Sequence, residues 1–250
     1  MKKFFTSWTF RVAALLLAAS ALTYLIHYFI FKDPHHIFIY MIGDMGFLFV
    51  DVLLVILFIE KILARREKRI ILKKLNMVIG TFFSEVGLDL LKKFSDFVDQ
   101  SEELEQELQI SPKWKVKQFN KAKECAANFP YKIHFDNKKL EELRRYLVGK
   151  HEFLLRLLEN PNLLENQHFT DFLWAVFHLN EELSFRGEDL SNLPDSDIAH
   201  LKVDMRRAYS QIVREWIGYT MHLKESYPFL FSLAARINPL NPKASPIVFG

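Results

Sequence analysis

The sequence predicts an all-α membrane protein: a two-helix transmembrane hairpin at the N-terminus followed by a cytoplasmic helical bundle. Three observations lead there. Two long apolar runs, residues 12–31 and 37–59, stand near the N-terminus; later segments repeat apolar residues at spacings of three and four; and no period-two alternation bounded by Asn-Gly or Asp-Gly occurs. Half of the 250 residues are hydrophobic, 24 are Phe and a quarter are charged, which excludes a disordered chain. The single cysteine, Cys125, excludes a disulfide framework, a CxxC redox pair and a Cys-based zinc cluster. A net charge of +3 is too small to mark a nucleic-acid binder.

The first run, VAALLLAASALTYLIHYFIF, carries no charge. At about 1.5 Å per helical residue it reaches roughly 30 Å, one hydrocarbon thickness. The second carries two acids, Asp44 and Asp51, and the polar join Lys32-Asp33-Pro34-His35-His36 predicts a tight antiparallel turn between the spans. Lys2, Lys3 and Arg11 precede the first span, and Lys61, Arg65, Arg66, Lys68, Arg69, Lys73 and Lys74 follow the second, against Lys32 alone in the join. This asymmetry places both termini in the cytoplasm and the hairpin in the cell (inner) membrane. A cleaved signal peptide ending near Ala19-Ser20-Ala21 is the competing reading; it fits less well because the apolar run continues for ten positions beyond Ala21. The expected domains are a hairpin over 1–62, a cytoplasmic helical domain over 63–238 and an irregular Pro-rich tail over 239–250.

Beyond Ile59 the helical pattern continues without proline, so the second span is expected to run on as a long helix. Residues 75–97 are notably apolar and suit either a bundle or the membrane surface. Ser111-Pro112 reads as a cap followed by proline at the first helical position, opening a helix to Asn128. Asp136 caps the next helix, with a stripe from Leu140 to Leu158. Asn160-Pro161 repeats the cap-and-proline signal and opens a helix carrying Leu164 through Leu183. After a polar loop around Gly187 and Pro194, the last long helix places Ile198, Leu201, Met205, Ala208, Ile212, Trp216, Tyr219 and Leu223 on one face. Pro228, Pro239, Pro242 and Pro246 then leave a short PFLFSLAARI helix and an irregular end.

Asp44 and Asp51 are seven residues apart and project from one helical face. They suit an ion or proton path lined by several hairpins; in the alternative reading Asp44 sits near the outer interface and Asp51 hydrogen-bonds Ser20, Thr23 or Tyr24 of the first span or another subunit. Gly43 and Gly46 would let another helix approach closely. The basic residues from Lys61 to Lys74 alternate with apolar ones and suit anionic lipid headgroups better than a nucleic-acid groove. His27, His35 and His36 cluster near the join, where solvated imidazoles are the ordinary case. His178 and Glu181 share a helical face and are weak candidate metal ligands, because a di-iron bundle needs Glu-x-x-His on each of two helices and here the order is reversed and unrepeated. HExxH, GxSxG and phosphate-loop patterns are absent. No enzyme and no cofactor are therefore expected.

The residues IGDMGFLFVDVLLVILFIEKILARREK with KLNMVIGTFFSEVG, and LWAVFHLNEEL with YPFLFSLAARINPLNP, resemble an uncharacterised family of small prokaryotic membrane proteins. The resemblance covers most of the chain from the second span onward. It implies an N-terminal membrane hairpin with a helical cytoplasmic part and brings no activity, ligand or site residue. The expected function is a membrane-anchored interaction or assembly module with the lipid bilayer and a protein partner or further copies of itself. A subunit of an oligomeric channel or transporter lined by Asp44 and Asp51 is the alternative, and a membrane-tethered metalloenzyme using His178 and Glu181 the third reading.

Overall fold

A computed structural model describes residues 8–99, 107–241 and 243–248, without the side chains of Trp8, Thr9 and Leu164. Lys2, Lys3 and Pro242, used in the sequence argument, lie outside the described residues, as does the side chain of Leu164. The described elements are helical throughout: α1 (Trp8–Phe31), α2 (Pro34–Phe82), a π-helical turn (Phe83–Gly87), α3 (Leu88–Ser95), α4 (Val116–Asn128), α5 (Asn137–Leu158), a 3-10 turn (Pro161–Glu165), α6 (Gln167–Phe185), α7 (Asp195–Ser226) and α8 (Pro228–Arg236). Among the described residues there is no strand, only an isolated antiparallel bridge between Val98 and Ile133. The chain divides into two compact units, Met1–Glu67 and Lys68–Gly250.

In the first unit, one described helical segment, Phe10–Phe31, is long and apolar enough to cross a membrane by length and composition. The second apolar run does not stand as a helix of its own; it is the front part of the 49-residue α2. The join is shorter than expected. Lys32, at φ 51° in the left-handed region, ends α1 with its N–H on Tyr28 O at 2.8 Å. Asp33 then caps α2: its Oδ1 accepts from the N–H of His35 (2.9 Å) and His36 (3.4 Å), with Pro34 at the first helical position, where no N–H is needed. His35 and His36 therefore belong to the helix and not to a loop.

The second unit is a helical bundle around α7. Helices α3, α4, α6 and α8 all pack on α7, and α5 packs on α6. Because α7 is covered from several sides, its buried arc is wider than the single stripe expected and also takes in Asp204, Tyr209, Val213, Ile217 and Thr220. The apolar segment after the basic stretch joins this core: Leu75, Ile79, Phe82, Phe83, Val86, Leu90, Leu91, Phe94 and Phe97 are all buried. Of the two placements left open by its composition, the bundle interior is the one observed.

Helix boundaries follow local hydrogen bonding. Asp136 caps α5 as expected, its Oδ1 accepting from Lys139 N–H at 3.1 Å. Ser111-Pro112 does not open a helix. Ser111 closes a turn, with Trp114 N–H on its carbonyl, and α4 starts four residues later, where Gln118 Oε1 accepts from Lys115 N–H at 2.6 Å. Asn160 caps only the 3-10 turn; a second asparagine, Asn166, caps α6 by accepting from Phe169 N–H at 3.2 Å. Two caps in series divide what the sequence reads as one helix. The C-terminal segment is tied to the core by Asn238, which is buried, accepts from Trp216 Nε1 at 2.8 Å and donates to Leu108 O at 3.2 Å.

Candidate functional site

Helices α6 and α7 each carry a histidine followed four residues later by an acid: His178 and Glu182 on α6, His200 and Asp204 on α7. At 3.6 residues per turn the two members of each pair stack one turn apart on the same face. Packing of α6 against α7 turns the two faces toward each other.

The four side chains converge. His178 Nε2 lies 3.5 Å from Asp204 Oδ2 and 3.8 Å from Glu182 Oε1. His200 Nε2 lies 3.3 Å from Asp204 Oδ2 and 3.6 Å from Glu182 Oε2. Ligand atoms of His178, Glu182 and His200 all fall within 4.8 Å of one another. Asp204 is 3% exposed, whereas the imidazoles are about half exposed, so the group opens to solvent on the histidine side.

Arginines hold the carboxylates. Arg186 forks onto Asp197 through Nε (2.7 Å) and NH2 (2.6 Å) while its NH1 donates to Glu182 Oε2 at 2.5 Å. The pairing with Asp197 is bidentate, the strong form of ion pair, and Glu182 is held by one charge-assisted hydrogen bond. The hydrogen bond from Arg186 holds Glu182 below the usual carboxylate range, against burial, which pushes it up, and it does the same for Asp197. Arg207 NH1 donates to Asp204 Oδ1 at 3.2 Å, leaving Oδ2 buried without a hydrogen-bond partner.

Of the residues singled out from the sequence, His178 is in the group, but Glu181 points to solvent and makes no part of it; the i,i+4 acid Glu182 stands in its place. His200 and Asp204 went unnoticed because nothing in the sequence pairs α6 with α7. The signal available was the twin His-x-x-x-acid spacing, present once on each helix. Asp44 lines a cavity of about 400 Å³ with Tyr24, His27, Phe31, His36 and Tyr40 near the α1–α2 turn, where the His27 and His36 rings stack 5.9 Å apart. Asp51 is exposed and does not bond to Ser20, Thr23 or Tyr24; Thr23 Oγ1 donates instead to Ala19 O. Gly43 and Gly46 have open space around them, with nothing within 4 Å of a Cβ at either. Lys61, Arg65, Arg66, Lys68, Arg69, Lys73 and Lys74 all lie on α2 with exposed side chains.

Comparison with known proteins agrees with this division of the chain. Residues 71–236 match the family described as "Uncharacterized protein MJ1433, C-terminal helical domain", and residues 2–63 match "MJ1433, N-terminal helical domain". The chain is 45% identical over 233 residues to "Uncharacterized protein MJ1433" of Methanocaldococcus jannaschii, covering 93% of each chain. No solved structure matches. The chain belongs to the MJ1433 family.

Proposed function

For this member of the MJ1433 family we propose an integral membrane protein whose N-terminal helices anchor the helical unit Lys68–Gly250 at the cytoplasmic face, where that unit serves as an interaction or assembly module. One observation carries the reading. From Arg11 to Ile70 every side chain is exposed except His27, His36 and Ile37, although the segment is rich in Leu, Ile, Val and Phe. Monomeric soluble proteins rarely expose contiguous apolar patches of more than a few hundred Å². Helices satisfy their own backbone hydrogen bonds and so suit hydrocarbon as a solvent. In the proposed arrangement residues 12–31 and 37–59 both cross. The two-residue turn at Lys32-Asp33 lies outside, and the basic residues after Ile59 meet anionic headgroups on the cytoplasmic side.

Labelling in intact cells tests the topology. In a Cys125→Ser background, Asp33→Cys is expected to react with a membrane-impermeant maleimide from outside, and Lys243→Cys only after lysis. Equal protection of both positions in intact cells removes the second crossing, and release of the protein by alkaline carbonate removes the anchor altogether.

A further inference from the structure

We infer that His178, Glu182, His200 and Asp204 form a binding site for one divalent transition ion of the zinc class. The site is independent of how the first unit meets the membrane, because all four residues lie in the second unit.

The strongest observation is Asp204 Oδ2. It belongs to a carboxylate that is 97% removed from solvent, accepts no hydrogen bond, and is aimed between the Nε2 atoms of His178 and His200 at 3.5 and 3.3 Å. A buried carboxylate oxygen that receives no hydrogen bond is unfavourable even though Arg207 pairs its sister oxygen, and an ion seated between Oδ2 and the two Nε2 atoms would answer it. The separations around Asp204 Oδ2 suit an ion of zinc's size. A tetrahedral zinc with bonds of about 2.0–2.2 Å to nitrogen and oxygen spaces neighbouring ligands by about 3.3–3.6 Å. Asp204 Oδ2 stands 3.5 and 3.3 Å from the Nε2 atoms of His178 and His200, which matches two edges of such a tetrahedron and is longer than a good N–H···O hydrogen bond. Glu182 approaches His178 through Oε1 at 3.8 Å and His200 through Oε2 at 3.6 Å, and it would bind through Oε1, the oxygen that Arg186 leaves free.

The chemistry of the donors agrees. Two imidazoles with two carboxylates suit zinc and its neighbours rather than calcium or magnesium, which take oxygen ligands. With both Nε2 atoms facing inward, their lone pairs meet the ion and the ring proton sits on the outward Nδ1. Outside the ligands, Arg186 holds Glu182 and Arg207 holds Asp204 by one oxygen each, so the carboxylates are oriented before any ion arrives. Arg186 is itself neutralised by Asp197, so the inward face keeps net negative charge.

The test is titration of chelator-stripped, detergent-purified full-length protein with Co²⁺ and Zn²⁺. One equivalent of Co²⁺ per chain is expected, with the intense visible d–d bands of tetrahedral coordination, displaced by Zn²⁺. His200→Ala and His178→Ala, at half-exposed positions where the fold tolerates truncation, are each expected to weaken Co²⁺ binding at least about 100-fold. The double variant is expected to abolish the bands and the rise in melting temperature that Zn²⁺ gives the wild type. No stoichiometric Co²⁺ binding by the wild type overturns the proposal and leaves the four residues as a polar cluster between α6 and α7. Binding that survives in the double variant and vanishes in His27→Ala/His36→Ala also overturns it, by moving the metal to the α1–α2 turn.

Discussion

At the scale of single residues, the second unit depends on how its buried charges are answered. Arg186 answers two acids, and Asn238 answers an indole N–H and a backbone carbonyl. Glu215, on α7, is half-buried: burial raises its carboxyl from 4.5 to about 7, opposed by the charges of Arg214 and Lys123. A group whose folded pKa lies above its unfolded one binds its proton more tightly when folded. The fold is therefore favoured below pH 4.5, and that advantage is lost as pH rises from 4.5 through 7. Glu215→Gln keeps the shape and removes the ionisation. It is expected to stabilise the protein by about 1–2 kcal/mol at pH 8 and to be close to neutral at pH 4. Chemical unfolding of both proteins at the two pH values measures this, and equal stability changes at both show that Glu215 is solvated. None of this was legible in the sequence, where Glu215 is one acid beside Arg214. The same holds for Asp204, whose role depends on α6 meeting α7 and not on its own neighbours in the chain.

At the scale of elements, a π-helical turn, Phe83–Gly87, interrupts the helical run between α2 and α3. It admits one more residue per turn than the α-helix it interrupts and so rephases the buried face. Phe82 and Phe83, adjacent in sequence, are both fully buried there: Phe82 packs edge-on to Phe169 and Phe172 of α6, and Phe83 stacks on Tyr219 of α7. Gly87 is what lets the rings close over the turn, because a Cβ there would lie 2.5 Å from the Phe83 ring and 2.6 Å from that of Phe82. Both rings are locked in the core, so Gly87→Ala is expected to cost about 1–3 kcal/mol as overpacking, even though alanine is the better helix former. A thermal melt decides the sign; stabilisation by alanine means the turn relaxes to plain α-helix. Sequence pattern found the apolar content of residues 75–97 but not the π-turn, since a single i→i+5 turn shifts the helical phase by one residue and carries no residue signature of its own. It found Asp136 for the opposite reason: an N-cap is decided within three residues. Ser111-Pro112 and Asn160-Pro161 carry the same cap-and-proline signal, yet one closes a turn and the other opens only a 3-10 segment, because the signal fixes where a helix is permitted and packing fixes where it starts.

At the scale of the whole molecule, the partition into two units makes a claim about which residues the fold of the second unit requires. Among the described residues its apolar core begins at Leu75 and ends at Leu240. Removing residues 1–67 therefore subtracts nothing from that core while deleting the exposed apolar surface of α1 and the front of α2. The fragment Lys68–Gly250 is expected to stay in solution without detergent, to keep a helical circular-dichroism spectrum and to unfold in one cooperative transition. A fragment starting at Thr81 loses Leu75 and Ile79, which are 1% and 5% exposed and belong to the apolar core. At about 2–5 kcal/mol for each buried aliphatic side chain removed, that loss rivals the roughly 5–15 kcal/mol stability of a typical domain, so the shorter fragment is expected to melt without a transition. If the longer fragment also aggregates or melts gradually, the unit boundary at Glu67 fails and the second unit owes its fold to the residues before it. If both fragments fold, the last turns of α2 are a passenger on the bundle and not part of its core.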